Sequence, residues 1–187
     1  MILRRLPLVV SFSVLAFPAR AHDALDGAGL FVNGILHPVV EPAHLLAFLA
    51  LGLWIGRQDR DALRRAVIAF AVALIAGLLA GPLAALPPAV PIALALILGG
   101  LAAGGWPAPA RVVAMVALAS AALISFDSAA DDWGLALGIW AGAMLIVLNV
   151  VNITMRIEAA WLHIAIRIAG AWIAAIALLL LALSLRA

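Results

Sequence analysis

From residue 30 onward the chain alternates long apolar runs with short clusters of Arg, Asp, Gly and Pro. The runs cover 30–56, 65–86, 89–105, 109–126, 133–155 and 161–185, each on the scale of the roughly 20 residues that a helix needs to cross about 30 Å of hydrocarbon. This pattern predicts an all-α integral membrane protein, a bundle of about six transmembrane helices.

Ahead of these runs stands a shorter one. MILRR places Arg4 and Arg5 before the apolar stretch Leu6 to Phe17, and PARAHD supplies Ala19 and Ala21 in the small-x-small arrangement of a signal-peptidase site. The sequence therefore predicts a cleaved N-terminal signal peptide over residues 1–21 and a single transmembrane domain over 22–187. Cleavage would leave His22 as the first residue. Its free amine and imidazole would form a chelating pair for a late first-row divalent metal, or would simply be solvated.

Composition narrows the class further. Of 187 residues, 68% are hydrophobic and 11% are charged, against about a quarter charged in a soluble domain. Little chain is left outside the spans, so function must lie in the spans and short loops. The eleven basic residues are all arginine, without a run suited to nucleic acid. Arg57, Arg60, Arg64 and Arg65 in RQDRDALRR, Arg111 in PAPAR and Arg156 in MRIEAAW fall in alternate loops, which assigns that side to the cytoplasm. The signal peptide gives the same topology, with a periplasmic mature N-terminus in a bacterial inner membrane. Without cysteine, metal chemistry is confined to imidazole, carboxylate, amide and backbone ligands. No Walker loop, GxSxG elbow, dinucleotide fingerprint or HExxH helix is present, and the chain reads as a non-enzyme.

The chemistry concentrates in HPVVEPAH, residues 37–44. If the segment is helical from about Pro38, the steps from His37 to Glu41 and from Glu41 to His44 are four and three residues, and the three side chains share one stripe. Two imidazoles and a carboxylate suit Ni²⁺, Co²⁺, Zn²⁺ or Fe²⁺, bound loosely enough to leave when water completes the shell. Pro42 cannot donate to the carbonyl of Pro38, and free carbonyls at membrane depth are tolerated where they are buried in protein or line a wet cavity. The alternative is an interfacial position, hydrogen-bonded to headgroups or loops. Ionisable groups inside spans favour the functional reading.

The stretch HDALDGAGLFVNGILHPVVEPAHLLAFLALGLWIG resembles the N-terminal region of the HupE/UreJ family of small bacterial membrane proteins. Its pattern is a histidine, a glycine-rich approach, then HP-x-x-G-x-D-H-x-x-A-M-x-x-V-G. His22, Gly34, His37, Pro38, His44, Ala47 and Gly52 match it. RIAGAWIAAIALLLLAL also resembles that family's last span. The resemblance implies a divalent-cation permease for nickel or cobalt, whose external mouth uses His22, His37 and His44. The family's glycine, aspartate and methionine correspond to Glu41, Ala43 and Phe48 here, and its second histidine-rich signature has no counterpart, since the remaining histidine is His163.

Other polar residues divide between packing and passage. Asn149 and Asn152, three apart and followed by Thr154, either hydrogen-bond between helices or form an ion path. His163 and Arg167 lie near the inner end of the last span, with the arginine snorkelling. Asp23, Asp26, Asp127, Asp131 and Asp132 give the outer face an acidic balance that adds solubility or gathers cations. Gly77, Gly99, Gly100, Gly104 and Gly105 read as packing devices, and Trp54, Trp106, Trp133 and Trp161 as interfacial anchors. The expected function is a secondary permease for a divalent transition metal, with His37, Glu41 and His44 as ligands and His22 assisting. The alternative is an accessory or structural subunit that has lost transport. No permanently bound cofactor is expected; the metal is the transported ion. Expected partners are membrane lipid, the ion, and a membrane-protein partner or second copy.

Overall fold

A computed structural model describes residues 29–80, 86–128, 130, 132–157 and 159–186; the predicted signal peptide and His22 lie outside these residues. The described chain forms seven helices. They are α1 (Leu30–Val40), α2 (Pro42–Ile55), α3 (Arg60–Ala80), α4 (Ala89–Gly104), α5 (Ala110–Asp127), α6 (Trp133–Met155) and α7 (Ala160–Ser184). Each apolar run of the sequence contains a helix, but the first contains two. Four helices, α3, α5, α6 and α7, are individually long and apolar enough to cross a membrane, and α1 and α2, bent by 75° at the break between them, have that length and apolarity only as a pair. The apolar helix α4 is shorter.

The expectation of one helix starting near Pro38 is corrected. Helix α1 begins at Leu30, holds Pro38 inside its last turns and stops at Val40. The cause is the Glu41–Pro42 step, because a proline disfavours the helical region for the residue before it. Glu41 accordingly takes extended dihedrals, φ −88° and ψ 104°, and Pro42 opens α2 at a position where its missing N–H costs nothing.

Beyond the break, α2 is apolar on every side, and such a helix must be buried. It contacts all six other helices. Ala47, Phe48, Ala50, Leu51, Trp54 and Ile55 are within a few per cent of complete burial. Trp54 is therefore a core residue rather than an interfacial anchor, whereas Trp106, Trp133 and Trp161 are exposed as the anchor reading requires.

Around α2 the packing pairs are α3 with α5, α4 with α7, and α1 with α6. Helices in lipid gain nothing by hiding apolar surface from tails that are equally apolar, so close approach carries the association. A methyl placed on Gly34 would lie 2.8 Å from the Gly138 Cα, and one on Gly99 would lie 2.7 Å from the Ala174 backbone nitrogen. The two glycine contacts bring α1 onto α6 and α4 onto α7. Gly100 faces open space and Gly105 ends α4 in the left-handed conformation, φ 66°, so neither packs helix on helix. The outer surface is large and apolar, with Ile68, Val72, Ile97, Met115, Leu145 and Leu179 exposed.

The loops gather at two ends. Gln58 donates to the Trp106 carbonyl and accepts from the Ala108 N–H, joining the α2–α3 and α4–α5 connections at the arginine-bearing end. His37, Glu41, Asp127 and Asp132 belong to the other end. Gly138→Val should cost about 1–3 kcal/mol, read by thermal unfolding in detergent, while Gly100→Ala should stay within about 0.5 kcal/mol of wild type.

Candidate functional site

The helix break determines where the histidines meet. Because α1 and α2 diverge at Glu41, His37 and His44 lie on different helices. The bend nevertheless sets their rings with centroids 5.6 Å apart. His37 is half-buried, and Asn33, one turn earlier on α1, is buried. His44 is 1% exposed at the start of the central helix, two turns before Gly52 and so roughly 12 Å above the level where α2 meets Val150 of α6.

A buried imidazole requires partners, and they come from α5. Asp127, the last residue of that helix, sets Oδ2 2.8 Å from His44 Nε2, and the following residue places Ser128 Oγ 3.4 Å from Nδ1. Phe48, one turn down α2, packs on the His44 ring with centroids 6.4 Å apart. Asp127 is not sealed in: its side chain keeps 25% of its exposure. Together with Glu41 it lines a cavity of about 330 Å³ bounded by Ala43, Pro88, Pro91 and Leu180. Two carboxylates thus face this space, and one of them, Asp127, also bonds His44, which is buried behind it and does not line the cavity.

The predicted stripe of His37, Glu41 and His44 is only partly realised. The two imidazoles are neighbours, while Glu41, displaced to the junction, turns to the cavity with Asp127. Among the described residues, no group of three or more His, Asp or Glu side chains is arranged to hold a single metal ion.

Asn149 and Asn152 do not extend this site. Both are exposed on α6. Asn149 Nδ2 donates to the Leu145 carbonyl, and Asn152 Oδ1 accepts from Arg156 Nε. Both side chains are exposed and bond along their own helix, so the structure does not bring them to the His44 pocket. Thr154 is buried against Gly56 instead. Arg167 does not simply snorkel, because its Nε donates to the Ala103 carbonyl of α4 at 2.9 Å, and His163 stands half-buried one turn before it. The acidic cluster is also divided in role. Asp132 caps α6, accepting from the Gly134 and Leu135 N–H groups, whereas Asp127 serves His44.

Asp127 and Ser128 are the site residues that sequence spacing did not reveal. A residue 83 positions away cannot be placed beside His44 by periodicity. The available signal was weak: an acidic side chain ending an apolar helix on the same side of the membrane as the histidines.

The profile of the HupE / UreJ protein family matches residues 10–180. The chain belongs to the HupE/UreJ family. No curated protein and no solved structure gives a significant match. Membership makes it a multi-pass membrane protein of a family linked to nickel and cobalt transport or to accessory roles. It also gives the departure at Ala43 a spatial reading: where the family pattern has an aspartate next to the second histidine, this chain brings a carboxylate to His44 from α5. Asp132→Ala should cost about 1 kcal/mol through loss of the α6 cap, with Asp132→Asn close to wild type; calorimetry of the purified protein checks both.

Proposed function

We propose that the chain is a secondary permease for a divalent transition-metal cation, nickel or cobalt, whose outer mouth is the bend between α1 and α2. The observation that carries this reading is His44: a fully buried imidazole beside a second imidazole, bonded to Asp127, one of the two carboxylates that line the adjoining cavity. Glu41 and Asp127 raise the local cation concentration in the cavity. His44 and His37 then exchange with hydration water, a step that imidazole favours for nickel and cobalt over magnesium or calcium. An incomplete ligand set keeps binding weak enough for release. His22, at the mature N-terminus after cleavage, would assist from outside.

The arginine-bearing loops are read as cytoplasmic, so the cavity opens to the periplasm of a bacterial inner membrane. Below His44 the central helix is closed by Phe48, Leu51, Trp54 and Ile55, all buried. An ion held at His44 therefore faces outward, and passage inward needs a movement of α2 against its neighbours, for which the Glu41 junction is a ready hinge. The sequence carries no Walker loop to drive this movement, and the ion gradient supplies the force.

One observation favours the second reading, an accessory subunit without transport: the absence, among the described residues, of a three-ligand group. Uptake of radioactive nickel and cobalt by cells expressing the wild type separates the two. The permease reading expects accumulation that His37→Ala/His44→Ala reduces at least tenfold at equal membrane abundance. Wild-type cells that match empty cells for both metals would overturn the nickel or cobalt permease and favour the accessory reading or another ion.

A further inference from the structure

We infer that Asp127 is a positioning residue which fixes His44 as the tautomer protonated on Nε2, leaving Nδ1 as the nitrogen that takes the cation. This inference rests on the permease reading for the cation and on hydrogen-bond geometry for the tautomer.

The two ring nitrogens of His44 have unequal partners. Nε2 stands 2.8 Å from Asp127 Oδ2, the length of a strong charge-assisted hydrogen bond. A carboxylate only accepts, so Nε2 carries the proton. On neutral imidazole, Nδ1 then presents a bare lone pair. What it faces is Ser128 Oγ at 3.4 Å, beyond the usual range for a hydroxyl donor. A cation arriving at Nδ1 displaces a long contact to a hydroxyl that can rotate away. A cation arriving at Nε2 would have to break the short bond and expel its proton.

The surroundings prevent the ring from exchanging its nitrogens. His44 is 1% exposed, with Phe48 packed on one side and His37 on another. Turning the ring over inside this packing would require the neighbours to move. The groups facing His44 are His37 from α1 and Asp127 and Ser128 from the end of α5. A carboxylate holding the far nitrogen of a ligating histidine orients the ring and raises its basicity, and loss of such a partner typically weakens metal affinity about 10–100-fold.

The experiment is nitrogen NMR of the full-length protein labelled with ¹⁵N-histidine, with His44 assigned from a His44→Gln spectrum, alongside Co²⁺ titration of the same samples. Metal-free wild type should show His44 protonated on Nε2. Asp127→Ala should lose that single tautomer and weaken Co²⁺ binding about 10–100-fold, and Asp127→Asn, which keeps a neutral acceptor, should restore the tautomer and part of the affinity. His44 protonated on Nδ1 in wild type overturns the inference even if Asp127→Ala does not fold. So does Co²⁺ binding within twofold of wild type in Asp127→Ala. A wild type with the expected tautomer that binds no Co²⁺ overturns the cation reading and the role of Nδ1, while keeping Asp127 as the residue that sets the tautomer.

Discussion

The break between Glu41 and Pro42 is the constraint on which the rest of the structure depends. A proline forces its predecessor out of the helix, and here it does so inside an apolar segment that would otherwise cross the membrane as one rod. The 75° bend lets α1 lie along α6 while α2 runs through the middle of the bundle. It also sets the two histidines on different helices and leaves Glu41 at the rim of the cavity. Burial of His44 follows from the centrality of α2, and its need for partners follows from burial.

That sequence of causes joins packing to chemistry. Burying an imidazole beside Phe48 is unfavourable unless it has polar partners, and the end of α5 gives it a short bond from Nε2 to Asp127 and a longer contact from Nδ1 to Ser128. The same carboxylate remains partly exposed in the cavity, so one side chain both completes a buried pair and meets whatever enters it. The glycine contacts hold α1 on α6 and α4 on α7, and below His44 the α2 side chains Phe48, Leu51, Trp54 and Ile55 are all buried. A structure made this way has, at the end opposite the arginine-bearing loops, a mainly apolar pocket carrying two carboxylates above a closed apolar plug.

Much of this was readable in the sequence, and the limits have physical reasons. The number and placement of apolar runs followed from hydrophobic length alone, and the HPVVEPAH segment stood out because ionisable groups are costly in a span. Periodicity, however, assumes a continuous helix. The stripe of His37, Glu41 and His44 failed at Glu41 because the Pro42 ring overrode it. Trp54 was read from its position near a span end, whereas its burial is set by α2 having neighbours on every side. The three-residue spacing puts Asn149 and Asn152 on one face of α6, but nothing local tells which face of α6 turns outward. Asp127 needed the fold, since a contact between α2 and the end of α5 has no signature in spacing.

The central claim is that the bend holds a divalent cation through imidazole nitrogen. X-ray absorption of the purified full-length protein loaded with one equivalent of Co²⁺ tests it most directly. The account predicts a bound ion whose scattering shows two imidazole ligands in wild type and fewer in His44→Gln. Retention of no cobalt, or a shell of oxygen ligands alone that His44→Gln leaves unchanged, would contradict it.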